Sequence, residues 1–184
     1  QPLWRGSYLR CINQTDGTEI WKSLHFVSGF SGGAGIVEIA DGYLIAGNDY
    51  DNRMYVYGKG PSATTITGPD TVQPLGTSIL LKGTITDESQ GAKEFSQSRG
   101  LSVPAIADAD QQAWMEYMYS QQAMPTDAKG VEVTLDAVDP NGNFVNIGTV
   151  TSDLSGKFTY MWTPEIPGKY TVIATFQGTG SYGP

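Results

Sequence analysis

The sequence predicts an all-β fold, with about five strands first and then a β-sandwich that carries a loop-helix insertion. Short runs rich in Thr, Val, Ile and Tyr recur along the chain, and Gly, Pro, Asn and Asp separate them. Apolar and polar residues alternate within several runs, as in half-buried strands. A chain of 184 residues has room for one or two domains. We place the boundary between residues 1–60 and 61–184.

The first strands are predicted at residues 8–13 and 19–26, which form a hairpin around Asp16 and Gly17. Gly17 can adopt the positive φ that a tight turn needs. Trp21 follows, and its large flat side chain suits a position between stacked sheets. After a glycine-rich link at residues 29–35, three more short strands are predicted at residues 36–39, 43–47 and 53–57.

The stretch from Cys11 to Trp21 resembles the docking motif of quinoprotein-like (PQQ-like) β-propeller repeats, Ala-x-Asp-x-x-x-Gly-x-x-x-Trp. Gly17 and Trp21 match the motif, while Cys11 stands for its Ala and Asn13 for its Asp. A propeller has roughly four to eight blades, and this chain carries one such motif. The resemblance therefore implies that residues 1–60 form a partial propeller blade.

The second half of the chain shows strand alternation at regular intervals. One predicted strand places Ile79, Leu81 and Ile85 on a single face. Further strands are predicted at residues 131–137 and 144–151. Near the end, two alternating sets predict apolar strand faces: Phe158, Tyr160 and Trp162, then Tyr170, Val172, Ala174 and Phe176. Regular short strands with turns between them are typical of a β-sandwich.

The end of the chain resembles the Ig-like modules that repeat in archaeal and bacterial cell-surface proteins. The resemblance rests on Trp162-Thr-Pro, on Pro167-Gly-x-Tyr170-x-Val, and on Ser181-Tyr182. In those modules a further strand follows the Ser-Tyr element and closes a sheet. The resemblance therefore implies a sandwich that lacks its last strand, with an open edge over an apolar core.

An insertion at about residues 88–129 interrupts the sandwich pattern. A helix is predicted from Asp108 to about Gln122, before Pro125. Trp114, Tyr117 and Met118 lie on one side of it, where they either fill a core between the domains or form a contact surface for another protein. Residues 90–100 are polar, and we expect a mobile or partner-ordered loop there.

Composition argues against several functions. The net charge of −8 argues against binding nucleic acid or an anionic membrane surface. No apolar run approaches the ~18 residues of a membrane span, so we expect no membrane insertion in this segment. Cys11 is the single cysteine, which excludes an internal disulfide framework. The start, without Met or a leader pattern, suggests a cut or processed chain.

No catalytic, cofactor-binding or metal-binding set is predicted. His25 is the single histidine, and no Gly-x-Ser-x-Gly nucleophile elbow accompanies it. The oxygens of Asp49 and Asp51, or of Asp139 and its neighbours, could bind calcium, but Asx residues in turns more often bond their own backbone. We therefore expect no cofactor and no quinone, haem or flavin.

Two functional hypotheses follow from the resemblances. The favoured one is a non-enzymatic, extracellular structural or adhesive module of a cell-surface protein, whose partners are other copies of itself or other surface proteins. It could form a filament or surface layer by intermolecular strand pairing. Asn13-Gln-Thr is a possible glycosylation site that fits export. The alternative is the C-terminal fragment of a quinoprotein-like dehydrogenase.

Overall fold

The computed structural model describes residues 7–27 and 37–184, and contacts divide the chain into two units. Unit 1 comprises Gln1–Lys59 with Asp108–Asp127, and unit 2 comprises Gly60–Ala107 with Ala128–Pro184. The described residues are mostly β, with several antiparallel sheets and no closed one among them. This confirms the all-β class that the sequence predicts. The predicted insertion is shared between the units, because only Asp108–Asp127 belongs to unit 1.

The described elements, in chain order, are β1 (Tyr8–Ile12), β2 (Glu19–Leu24), β3 (Val37–Ala40), β4 (Tyr43–Asn48), β5 (Arg53–Tyr57), β6 (Ser62–Thr67), β7 (Ile79–Asp87), α1 (Gln90–Arg99), α2 (Asp108–Tyr119), β8 (Glu132–Val138), β9 (Phe144–Thr151), β10 (Lys157–Trp162) and β11 (Thr171–Thr175).

Unit 1 contains two small antiparallel sheets and one helix. β1 and β2 form a hairpin in which Cys11 lies opposite Trp21, and Gly17 has the positive φ of 74° that the predicted turn requires. The second sheet has the order β3-β4-β5, and α2 packs against β2. The five predicted strands are thus all present. The glycine-rich link at residues 29–35 lies outside the described residues.

Unit 2 contains two three-stranded antiparallel sheets, with the orders β10-β7-β6 and β11-β8-β9. They pack face to face, since Ile85 and Phe158 of the first sheet share one core cluster with Val133 and Leu135 of the second. Gly83 makes room for this core, because a Cβ at that position would overlap the Phe158 ring. Alternation therefore predicted the inward faces correctly.

The expectation of a loop at residues 90–100 is wrong, because α1 occupies this stretch. The Ser89 side chain caps the start of α1 by accepting a hydrogen bond from the Ala92 backbone N–H. Gly100 ends it in the left-handed region with φ of 67°, and its N–H donates to the Ser96 carbonyl. These two caps define a helix whose polar sequence shows only a weak apolar stripe.

The predicted helix that starts at Asp108 is present as α2, but it ends at Tyr119 rather than near Gln122. Gln121 has a φ of 57°, which breaks the helical path. Trp114 and Met118 are buried, and Tyr117 is half-buried with its ring centroid 5.5 Å from that of Trp114. Neither described helix has the length and apolar character needed to span a membrane.

Candidate strand-binding groove

Unit 2 has a surface groove between outer strands of its two sheets. β6 is an outer strand of one sheet and β11 is an outer strand of the other, in the part of the chain that the structure describes. The two strands contact each other on the same side of the sandwich. An outer strand presents backbone N–H and C=O groups that can pair with another strand. We call the space between β6 and β11, with the loops at its end, the groove.

An apolar cavity of about 750 Å³ lies in the groove. Its strand residues come from four strands of both sheets, and two loops complete its wall. The strand residues that line it are Ile66, Thr67, Ile79, Leu81, Trp162 and Val172. The strand residues make the cavity mostly apolar, while its loop wall also carries the charged side chains of Asp70 and Lys169.

Two aromatic side chains form one wall of the groove. The Trp162 and Tyr170 rings meet edge to face, with centroids 5.0 Å apart and an interplanar angle of 87°. The Tyr170 hydroxyl donates to the Ile166 carbonyl at 3.0 Å and accepts from the Ile166 N–H at 3.3 Å. Because the Tyr170 hydroxyl holds its own loop in place, the wall is built in advance of any ligand.

A short parallel ladder marks one end of the groove. The Gly60 N–H donates to the Ser181 carbonyl at 2.9 Å, and the Gly183 N–H donates to the Gly60 carbonyl at 2.9 Å. The Ser62 hydroxyl donates to the Gly183 carbonyl at 2.8 Å. The residues after β11 therefore run alongside the beginning of β6 in the same direction as β6.

Tyr182 anchors this ladder. Its side chain is 1% exposed and belongs to the core cluster, and its hydroxyl bonds the Asp87 carboxylate. Asp87 also accepts from the Ser89 N–H at 2.8 Å. Burial raises the pKa of Asp87, and hydrogen bonds from Ser89 and Tyr182 partly oppose that rise. The direction of the ladder is thus fixed by a buried side chain.

The predicted interface residues of the sandwich lie in different environments. Trp162 and Tyr170 line the groove, whereas Phe158 is buried in the core. Tyr160 is half-buried, and its hydroxyl donates to the Ile147 carbonyl at 2.6 Å across to the other sheet. Sequence reasoning missed Ile66 and Leu81 as groove residues, although their inward alternation was a usable signal.

In unit 1, the predicted docking residue Trp21 is half-buried and stacks on Tyr57 of β5, with ring centroids 5.6 Å apart. Trp21 therefore lies between the β1-β2 hairpin and the second sheet. Asn13 lies at the hairpin turn, where its side-chain oxygen accepts from the Thr15 N–H at 2.9 Å. Thr15, the third residue of the sequon, is exposed.

His25 belongs to a buried polar cluster in unit 1 and is 3% exposed. Its Nε2 lies 2.9 Å from the Gly47 carbonyl and its Nδ1 lies 3.2 Å from the Tyr57 hydroxyl. Burial lowers the pKa of His25, and burial also raises the pKa of Tyr55, whose hydroxyl donates to Asp51 at 2.7 Å. These contacts link His25, just after β2, to strands β4 and β5.

The acidic turns bond their own backbone. Asp139 accepts from the Asn141 and Asn143 N–H groups at 2.8 Å, and these bonds lower its pKa together with the Asn143 side chain. In residues 7–27 and 37–184 there is no group of three or more His, Cys, Asp or Glu side chains placed to hold a metal ion.

Comparisons with protein-family models, with curated proteins and with solved structures find no match to this chain.

Proposed function

We propose that this chain is a non-enzymatic structural or adhesive module of a cell-surface protein, and that it joins other copies of itself or other surface proteins by strand pairing at the groove. The observation that carries the proposal is the pair of outer strands, β6 and β11, on either side of an apolar cavity. Natural sheets normally cover or blunt such edges, so an edge of this kind favours pairing with a strand from another molecule.

The burial of apolar side chains favours strand addition at the groove. A bound strand would cover Ile66, Trp162 and Val172, and full burial of an apolar side chain stabilises by about 1.5–3 kcal/mol. Its backbone groups would pair with the edges of β6 and β11. Main-chain bonds would then supply affinity, and the cavity would supply selectivity for apolar side chains.

We propose further that unit 2 is an Ig-like module and that unit 1 is part of a PQQ-like propeller blade. The β3-β4-β5 sheet supports the second assignment, because it has apolar residues on both faces. Ala46 lies on the covered face and is fully buried, while Met54 and Val56 are 55% and 61% exposed on the opposite face. A sheet with two apolar faces fits a position between two other sheets.

We also propose an extracellular location at the cell surface. The net charge of −8 fits a soluble surface module, and the Asn13 sequon lies at a turn of unit 1 with an exposed Thr15. Mass spectrometry of the native protein would show a glycan on Asn13.

The proposal predicts that the purified chain self-associates in a manner that depends on the β6 edge. Thr64→Pro removes a backbone N–H on the side of β6 that faces away from β7, because Gly60, Ser62 and Thr64 share that side by strand alternation. We expect filaments or oligomers of the parent chain by negative-stain electron microscopy and sedimentation, and their loss in Thr64→Pro.

Thr64→Ala is the matched control, since it changes the same half-buried side chain and keeps the backbone N–H. This variant should assemble like the parent chain. Circular dichroism would verify that Thr64→Pro retains the sandwich. A parent chain that stays monomeric at high concentration would refute pairing between copies of this chain.

A further inference from the structure

We propose that Asn141 is a site of spontaneous deamidation, and that Asp139 sets the rate of this reaction by holding the turn between β8 and β9 closed. Deamidation replaces the side-chain amide by a carboxylic acid and needs only water as its co-reactant. Asparagine is one of the chemically labile residues of proteins. The proposal does not depend on strand binding at the groove, and it adds a modification site together with the side chain that controls it.

Asn141 differs from the other asparagines in the residue that follows it. Gly142 comes after Asn141, whereas each of the others precedes a residue with a side chain. Those pairs are Asn13-Gln14, Asn48-Asp49, Asn52-Arg53, Asn143-Phe144 and Asn146-Ile147. Because glycine has no Cβ, its backbone nitrogen is the least hindered nucleophile and its backbone rotates most freely. The sequence therefore singles out Asn141 for attack by its own main chain.

The reaction takes place between these two neighbouring residues. The Gly142 backbone nitrogen loses its proton to hydroxide and attacks Cγ of Asn141, which forms an N–Cγ bond and closes a cyclic imide. The Cγ–Nδ2 bond then breaks, and Nδ2 leaves as ammonia with a proton from water. Water opens the imide at either carbonyl and gives an aspartyl or an isoaspartyl residue. Such an intramolecular attack is fast only when the two atoms can reach the correct geometry.

Solvent reaches the reacting groups. Asn141, Gly142 and Asn143 are exposed, and the Phe144 side chain that follows them is 65% exposed. Opening this turn therefore exposes little additional apolar surface to water. Asn48, by contrast, is 2% exposed and lies within β4, where the sheet holds its backbone.

In the closed turn, Asp139 holds the backbone on both sides of the reacting pair. Its Oδ1 accepts hydrogen bonds from the Asn141 and Asn143 N–H groups, each at 2.8 Å. Its Oδ2 accepts from the Asn143 side-chain amide at 2.8 Å. The Gly142 N–H donates to the Asp139 carbonyl at 3.0 Å, which closes a β-turn with Pro140 at its second position. The side chain and the main chain of Asp139 together fix the turn.

These hydrogen bonds oppose the reaction. The Gly142 nitrogen loses its proton less readily while that proton is donated to the Asp139 carbonyl, and the nearby carboxylate disfavours a second negative charge on the nitrogen. Ring closure also requires the Asn141 backbone to rotate, which the hydrogen bond from its N–H to Asp139 resists. Deamidation therefore proceeds from the open turn, and its rate follows the fraction of molecules in which the Asp139 hydrogen bonds are broken.

The product cannot rebuild the same turn. An aspartyl residue at position 141 adds a carboxylate beside that of Asp139, and the two like charges repel each other. An isoaspartyl residue also lengthens the main chain by a methylene group, which displaces Asn143 from Asp139. The Pro140 ring packs against Gly168, where a Cβ would overlap it, and Gly168 belongs to the loop wall of the cavity. Conversion of Asn141 therefore loosens the end of the β8-β9 hairpin and a support of the groove.

Peptide mapping of the full chain tests the proposal. The chain is incubated in a mildly alkaline buffer, where hydroxide promotes loss of the proton from the attacking nitrogen. Mass spectrometry with chromatography then measures the aspartyl and isoaspartyl products at each asparagine. The same measurement is made on Asp139→Ala and on a synthetic peptide of residues 137–145. We expect Asn141 to convert first among the asparagines, about threefold faster or more in Asp139→Ala than in the parent chain, and fastest in the peptide.

Asp139→Asn is the matched control. It keeps a side-chain oxygen that can accept from the Asn141 and Asn143 N–H groups, and Pro140 after it has no N–H with which to attack the new amide. Its rate at Asn141 should lie between those of the parent chain and Asp139→Ala. Circular dichroism verifies that both variants keep the sandwich.

The outcomes separate the site from its control. Conversion of another asparagine before Asn141 would overturn the site. Equal rates at Asn141 in the parent chain and in Asp139→Ala would overturn the control by Asp139. An Asp139→Ala chain whose Asn141 is unchanged when the peptide has converted completely would overturn both.

Discussion

At the scale of the residue, Trp21 bridges the two sheets of unit 1 by its stack on Tyr57. We expect Trp21→Ala to lower the free energy of unfolding of unit 1 by about 2–3 kcal/mol, below the ~3–5 kcal/mol of fully buried aromatic residues, because Trp21 is half-buried. Urea denaturation followed by circular dichroism measures the change. Ile20→Ala is the control, because Ile20 is 62% exposed on the same strand. An equal loss in both variants would remove the bridging role of Trp21.

His25 gives unit 1 a specific pH dependence. Burial lowers the pKa of His25 in the folded protein below its ordinary value of 6.5. As the pH falls, His25 is therefore protonated in the unfolded chain before it is protonated in the folded chain. The stabilising contribution of neutral His25 is complete above pH 6.5 and is lost as the pH falls below it. We expect amides of β2 to exchange faster at pH 5 than at pH 7.5, after correction for intrinsic rates.

His25→Gln should remove most of this pH dependence, since it deletes the titrating ring. The nearby Asp49 and Asp51 charges partly oppose the lowered pKa, so the slope stays below the limit of ~1.4 kcal/mol per pH unit for one proton. Hydrogen bonds from Thr18 lower the pKa of Asp16 below 3.8. Asp16 therefore changes its charge only at a more acidic pH than His25. If exchange of the β2 amides in His25→Gln kept the same dependence on pH, groups other than His25 would be responsible for that dependence.

At the scale of the element, α1 depends on its caps more than on an apolar stripe. Ser89→Ala removes the side-chain oxygen that accepts from Ala92, and we expect it to destabilise α1 by about 1 kcal/mol. Hydrogen exchange of α1 amides measures the change. Gln97→Ala is the control, because Gln97 is exposed and Ala is a good helix former. A loss in the control that matches Ser89→Ala would contradict the capping role.

Most elements could be predicted from the sequence, because alternation reports which face of a strand is buried. β5 and β9 have the predicted bounds, and the other strands differ from prediction at their ends. The sequence does not indicate α1 by its pattern, because the residues that stabilise its ends, Ser89 and Gly100, lie outside the helix. From the sequence, the groove could be predicted only as a sheet edge that lacks a neighbouring strand. The meeting of Ile66, Trp162 and Val172, and the ladder at Gly60, depend on contacts between residues far apart in sequence.

At the scale of the whole molecule, the chain leaves unit 2 after Ala107 and returns at Ala128. The Ala107 N–H donates to the Lys129 carbonyl at 2.9 Å, so the two ends of this excursion are adjacent. Replacing residues 108–127 by a Gly-Asn-Gly link should therefore leave unit 2 folded, since closing a short loop between adjacent ends costs little. Near-ultraviolet circular dichroism, in which Trp162 is the tryptophan of unit 2, measures this. Loss of the unit 2 signal would show that residues 108–127 are needed for the sandwich.

The same excursion has a consequence for synthesis on the ribosome. The strands of unit 1 are made first, yet α2, which packs against β2, is encoded after β6, β7 and α1. A nascent chain that has reached Lys59 therefore lacks the helix that covers β2, and it waits for about 60–70 further residues, or roughly 3–14 s at ordinary elongation rates. During that interval the β2 face is exposed to chaperones and to neighbouring nascent chains. Unit 1 can therefore complete its folding only after the ribosome has translated β6, β7, α1 and α2.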